Sequence, residues 1–92
     1  MDEEIMISFE NVTKAILAER ELLKKGFDVR VMFMPDVIQK GCGFCLRVLP
    51  NDIEKAVCIL QSFEIKIIES WIKKIDGSYK KITIGKTNTL IR

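Results

Sequence analysis

The order in which hydrophobic periodicity changes along this 92-residue chain constrains the fold more than any other feature. Ile5, Ile7 and Phe9 alternate with Met6 and Ser8, the two-residue period of a half-buried strand. NVTKAILAERELLKKG then switches to a helical habit. Asn11 or Thr13 can cap it, its interior is rich in Ala, Leu, Glu and Lys, and Gly26 stops it after Lys24 and Lys25. DVRVMFM returns to alternation, with Val29, Val31 and Phe33 on one side and Arg30, Met32 and Met34 on the other, until Pro35 ends it. PDVIQKGCG has no clear period. FCLRVL alternates again, setting Phe44, Leu46 and Val48 against Cys45, Arg47 and Leu49. Pro50-Asn51-Asp52 opens a second helix with its apolar stripe at Ile53, Ala56, Val57 and Leu60. EIKIIESWIKKI is strand-like and β-branched, Asp76-Gly77 marks a hairpin, and YKKITI forms its returning strand.

This order, β-α-β-β-α-β plus a hairpin, predicts an α+β fold. The pattern is best satisfied by a ferredoxin-like split β-α-β sandwich, an antiparallel sheet with both helices on one face and a C-terminal hairpin extension. The helix-facing sets are then Ile5/Ile7/Phe9, Val29/Val31/Phe33 and Phe44/Leu46/Val48. Met6, Met32, Met34, Cys45 and Arg47 fall on the other face. That Met-rich face is neither cleanly polar nor core, and it could pack on a second copy, on the hairpin or on a partner. The length suits one domain, expected over residues 1–84, with GKTNTLIR at 85–92 a flexible basic tail.

Apolar residues make up 48% of the chain and charged residues 30%, which argues against disorder. A net charge of +2 is too small to imply nucleic acid. The charge is uneven: residues 1–46 carry 6 basic and 8 acidic side chains, residues 47–92 carry 9 and 5. A basic C-terminal edge is first a device against aggregation, and second a docking surface for an acidic protein or RNA. No apolar run reaches the length of a membrane span, and MDEEIMISF is acidic, so no membrane association and no signal peptide are expected. The expected compartment is the cytoplasm. Three cysteines cannot all pair within one chain, and a reducing cytosol keeps them as thiols. Histidine is absent, which removes serine–histidine and cysteine–histidine catalysis within a single chain.

KGCGFC at 40–45 holds two of the cysteines and admits four readings. A thioredoxin-type pair requires a helix after the motif, but here a strand follows. Residues three apart on a strand are separated by about 10 Å, beyond the reach of a disulfide. A zinc site lacks ligands unless a second chain supplies them, so neither metal nor cofactor is expected. An RNA-recognition motif shares the topology, but Cys42 and Arg47 stand where stacking aromatics belong, which disfavours nucleic acid. The fourth reading is a single working thiol. An antiparallel third strand begins beside the N-terminus of the first helix, near the N–H groups around Asn11, Val12 and Thr13. A thiolate or persulfide on Cys42 is stabilised there, with a lowered thiol pKa, while Gly41 and Gly43 leave the sulfur unshielded. Cys45 reads as a space-filling strand residue or a second thiol, and Cys58 as a buried helix cysteine. On the first helix, Val12, Ala15, Leu22 and Leu23 define the expected buried stripe, with Glu19 in its middle. A carboxylate there needs a partner, either a Lys or Arg at the rim or a role as acid, base or docking group.

These segments together resemble the small selenium/sulfur carrier protein-like family, over about residues 5–72. The resemblance runs through MISF, then Ala15, Ala18, Glu19, Leu22 and Gly26 of the helix, Val29-Arg30, Met34-Pro35, the step Cys42-Gly43-Phe44-Cys45-Leu46-Arg47, and Asp52-Ile53-Glu54-Lys55. It implies handling of sulfur or selenium as a cysteine-bound persulfide or selenide, with Cys42 the carrier and donor and acceptor proteins as partners. On that reading the chain is a carrier or accessory protein more than a self-sufficient enzyme. Two other classes stay open: a non-catalytic interaction or regulatory domain that dimerises as a homodimer or docks through its open sheet face, and a thiol redox switch using Cys42 and Cys45.

Overall fold

The first strand alternates apolar side chains with others that are also buried, so it belongs at the centre of a sheet covered on both sides. The computed structural model describes residues 3–35, 38 and 43–84. In it, β1 (Glu4–Ser8) lies between β3 (Phe44–Val48) and β4 (Ser70–Lys73). β2 (Arg30–Phe33) pairs with the far side of β3, and β5 (Tyr79–Ile82) with β4, giving the order β2-β3-β1-β4-β5 with every neighbouring pair antiparallel. Two α-helices, α1 (Val12–Lys24) and α2 (Ile53–Ser62), and a single 3-10 turn at Pro50–Asp52 that leads into α2 complete the described elements. The molecule is therefore α+β, a five-stranded antiparallel sheet with two helices.

Both helices cover the same sheet face. Ile5, Ile7, Leu46 and Val48 of the sheet, with Phe9 just beyond β1, form one buried cluster with Ala15, Ala18 and Leu22 of α1 and the α2 stripe Ile53, Ala56, Val57 and Leu60. Small residues at 15 and 18 let α1 approach the sheet closely. The expected α1 stripe is corrected at its ends: Val12 and Leu23 are exposed, and Ala18 takes the central place. At 3.6 residues per turn, 15, 18 and 22 share one line, whereas 12 and 23 lie toward the sheet edge.

The opposite face is not open. Met6, Met34, Ile38, Cys45 and Trp71 are buried together, with Met32 and Tyr79 packed against them. The Met-rich face therefore packs on its own chain. Trp71 and Tyr79 come from the C-terminal strands, and Ile38 comes from the β2–β3 connection. Phe33 is a second correction. Alternation places it in the helix-facing set, yet it is 77% exposed, because it is the last residue of the edge strand and no described element covers it. It stacks instead on its cross-strand neighbour Phe44, ring centroids 5.2 Å apart.

The fourth strand is shorter than its sequence suggests. Ile68 N–H donates to Ser8 O and Ser8 N–H donates to Glu69 O, both at 2.9 Å, so two residues oppose one. The buried Ser8 hydroxyl takes the extra amide, accepting from Glu69 N–H at 3.1 Å. This bulge ends the ladder at Ser70. The β4–β5 hairpin turns at Asp76-Gly77, as expected, with Gly77 at φ +91°. The Ser78 hydroxyl and then its amide hydrogen bond to the Asp76 carboxylate, holding that carboxyl below its ordinary value.

Both helices end with the same pair of closing hydrogen bonds, but with different residues at the left-handed position. After α1 that residue is Gly26; after α2 it is Glu64, at φ +58°. Ile65 N–H donates to Leu60 O at 2.9 Å and Ile65 is buried, so the motif is held in spite of the strained residue. Glu64→Gly is expected to raise unfolding stability by about 0.5–1 kcal/mol, relief of the side-chain clash exceeding the added chain entropy. A urea titration reads this as a higher midpoint at unchanged slope.

Candidate functional site

The candidate site is the end of the sheet where β1 finishes, α1 starts and β3 begins. Its register is fixed by Ser8 opposite Cys45. Counted outward, that ladder sets Gly43 level with Glu10, the residue before the helix cap. Met34 N–H donates to Gly43 O at 2.8 Å, tying the end of β2 to the approach to β3. Gly43 has φ +84°, and a Cβ built on it would meet nothing within 4 Å. Backbone conformation, not crowding, therefore requires glycine there. Cys42 and Gly41, the other two residues of the candidate G-C-G step, lie outside the described residues, as does the tail at 85–92.

Asn11 is the cap of α1. Its backbone is extended, and its Oδ1 accepts from Lys14 N–H at 2.9 Å. Thr13 sits inside the first turn. Helix geometry leaves the Val12 and Thr13 amides without intrahelical acceptors, and no acidic side chain occupies the first turn. Asn11, Val12 and Thr13 are all exposed. The result is a solvent-facing helix end with two available N–H groups and positive partial charge, suited to an anion at the sheet terminus.

Of the two described cysteines, Cys58 departs from its expected environment and Cys45 does not. Cys45 is completely buried, a reduced thiol within the Met6–Trp71 cluster, as a strand residue filling space should be. Cys58 is exposed on α2, not buried. It follows Val57 by one residue and so lies about 100° away from the buried stripe. Among the described residues no group of three or more thiol or carboxylate side chains is arranged to hold a metal ion.

Glu19 finds neither a Lys nor an Arg. Its Oε2 accepts from the Val31 backbone N–H at 3.0 Å. Met34 N–H points into the sheet, toward Gly43, and inward and outward amides alternate along a strand. Val31 N–H therefore points outward from the free edge of β2. Glu19 thus satisfies an edge amide, and it stands apart from the Gly43 end of the sheet. Glu19→Ala is expected to cost about 1 kcal/mol, whereas Glu19→Gln, which still offers an acceptor oxygen, keeps most of that. Urea titration of both variants checks this; equal losses would show that charge, not acceptance of the hydrogen bond, matters.

Two features went unread in the sequence. One is Glu69: its Oε2 pairs with Lys81 at 3.1 Å, while its Oε1 is buried without a hydrogen-bond partner among the described residues. It lies on the same face as Trp71 and Lys81, beside the bulge at Ser8, and the β4–β5 register that brings Lys81 to it is not visible in periodicity. The other is the pair of exposed Phe33 and half-buried Phe44, which alternation alone assigned to the core.

With this geometry in hand, comparison with known families is informative. Residues 4–72 match the family described as "Putative Se/S carrier protein-like". The chain belongs to that family. The match begins with β1 and ends within β4, one residue short of Lys73, so the hairpin turn and β5 lie beyond the matched part. No curated protein and no solved structure matches the chain.

Proposed function

We propose that this member of the Se/S carrier protein-like family carries sulfur or selenium on Cys42, as a persulfide or selenide, between donor and acceptor proteins of the cytoplasm. The family membership over residues 4–72 is the observation that carries the reading. The α1 terminus supports it. The uncapped Val12 and Thr13 amides favour an anion, and Gly43, covalently bonded to Cys42, holds a backbone conformation that keeps bulk away from this end of β3. On the same reading the sheet order is that of a ferredoxin-like split β-α-β unit with β5 added at one edge. Among the described residues no helix is long and apolar enough to cross a membrane.

A switch based on Cys42 and Cys45 is a weaker reading, because Cys45 would have to leave a fully buried position to react. Docking through the Met-rich face is weaker for a similar reason, since the chain itself fills that face.

The test is incubation of the reduced protein with a cysteine persulfide donor, followed by intact-mass and peptide mass spectrometry. A one-sulfur adduct on the peptide containing Cys42 is expected, reversed by dithiothreitol. An adduct confined to Cys58, or none at all, rejects the reading.

A further inference from the structure

Four of the large apolar side chains left exposed gather on one face: Val12, Ile16 and Leu23 of α1, and Phe33 of β2. The Glu19–Val31 hydrogen bond fixes their relation. At 3.6 residues per turn, Val12, Ile16, Glu19 and Leu23 form a single line along α1. Because Glu19 reaches the outward amide of Val31, that whole line overhangs the free edge of β2. β1 and β2 are both antiparallel to β3 and so run the same way, and α1 returns between them. Ile16 lies about 4.5 Å along the helix from Glu19, and Phe33 lies about 6.6 Å along the strand from Val31, in the same direction. The two side chains are therefore nearly level, and the Phe33–Phe44 stack closes that end of the patch.

We propose that this α1–β2 edge is a docking surface for an amphipathic segment of another protein, one whose apolar side chains are flanked by Asp or Glu. Charge supports this occupant. Arg20, Lys24 and Lys25 flank the patch on the α1 side, all exposed. The described carboxylates near them are all engaged, Asp28 with Arg47 at 3.2 Å. Glu19 is engaged with the Val31 amide, and Glu21 is shared by Arg20 at 3.5 Å and Lys24 at 3.6 Å. Both of those cations are 64% exposed, so these are surface pairs that a partner's carboxylates can replace at little cost. A second copy of the chain fits poorly. A two-fold axis would set like charges against each other, and an edge-to-edge ladder needs the Val31 N–H that Glu19 already holds. The proposal does not depend on Cys42 carrying sulfur.

The test is an NMR titration of the isotope-labelled full chain with three probes: a short amphipathic Leu/Glu peptide, the same peptide with Lys in place of Glu, and a single-stranded RNA oligomer. The acidic peptide is expected to bind saturably and to shift the amides of Ile16, Leu23 and Phe33. The Lys peptide should bind at least about tenfold more weakly, and raised salt should weaken the acidic peptide. Ile16→Ser and Phe33→Ser change exposed side chains, so they should preserve the fold while lowering affinity several-fold. The proposal is overturned by equal binding of the two peptides, by shifts centred elsewhere, by tighter binding of RNA, or by no saturable binding. It is also overturned if sedimentation shows the chain dimerising through this face without any peptide.

Discussion

Cys42→Ser is expected to abolish the sulfur adduct completely while leaving the far-ultraviolet circular dichroism and urea midpoint close to wild type. A serine oxygen cannot hold a transferable sulfane sulfur, so the loss is total and not graded. The other cysteines make the experiment decisive. Cys58 is exposed, and any nonspecific persulfidation will fall there first. Cys58→Ser should therefore leave a specific adduct and the stability unchanged. Cys45→Ser should retain the adduct but lower stability, because it sets a hydroxyl inside the Met6–Trp71 cluster. An adduct that survives Cys42→Ser with its yield intact would falsify the carrier assignment, whatever the fate of the docking surface.

Phe9→Ala is expected to have the largest effect on stability. Phe9 is the largest of the completely buried side chains and lies where β1 leaves the sheet for α1, within the cluster that joins both helices to the strands. Truncation there leaves a cavity that the flanking strand and helix cannot close without breaking their own hydrogen bonds. The cost is about 3–5 kcal/mol. A domain of this size has a total stability of roughly 5–14 kcal/mol. Thermal unfolding should therefore shift downward by more than about 12 °C. A shift of only a few degrees would mean that the helix-side core repacks around residue 9, contrary to the close approach of Ala15 and Ala18.

Much of the fold is legible in the sequence, for reasons that can be located. The switch in period at Ser8–Asn11 and again at Leu49–Ile53 marks real element boundaries, because caps and prolines reinforce the change. Asp76-Gly77 is readable because a left-handed residue in a tight turn leaves few alternatives to glycine. What escaped depends on position in the sheet. Val31 and Phe33 share one face of the edge strand, yet Val31 packs on the core and Phe33, at the strand's last position, does not, a difference of place that alternation does not carry. Leu23 looks like stripe and Ala18 like filler until the helix is rotated against real neighbours. The candidate site is legible in part. Asn11 as cap and Gly43 as a conformational requirement follow from residue type, whereas the role of Glu19 needed the outward amide of Val31, which no one-dimensional pattern displays.

The placement of β1 has a consequence for how the chain comes into being. β1 is synthesised before every other described strand yet is the middle strand of the finished sheet, and its partners reach Val48 on one side and Lys73 on the other. Until residue 73 has emerged, Ile5, Met6 and Ile7 have no complete surroundings to enter. Assembly of the sheet therefore waits for β4 and is largely all-or-none, whereas α1, α2 and the β2–β3 pairing can form earlier from neighbouring sequence.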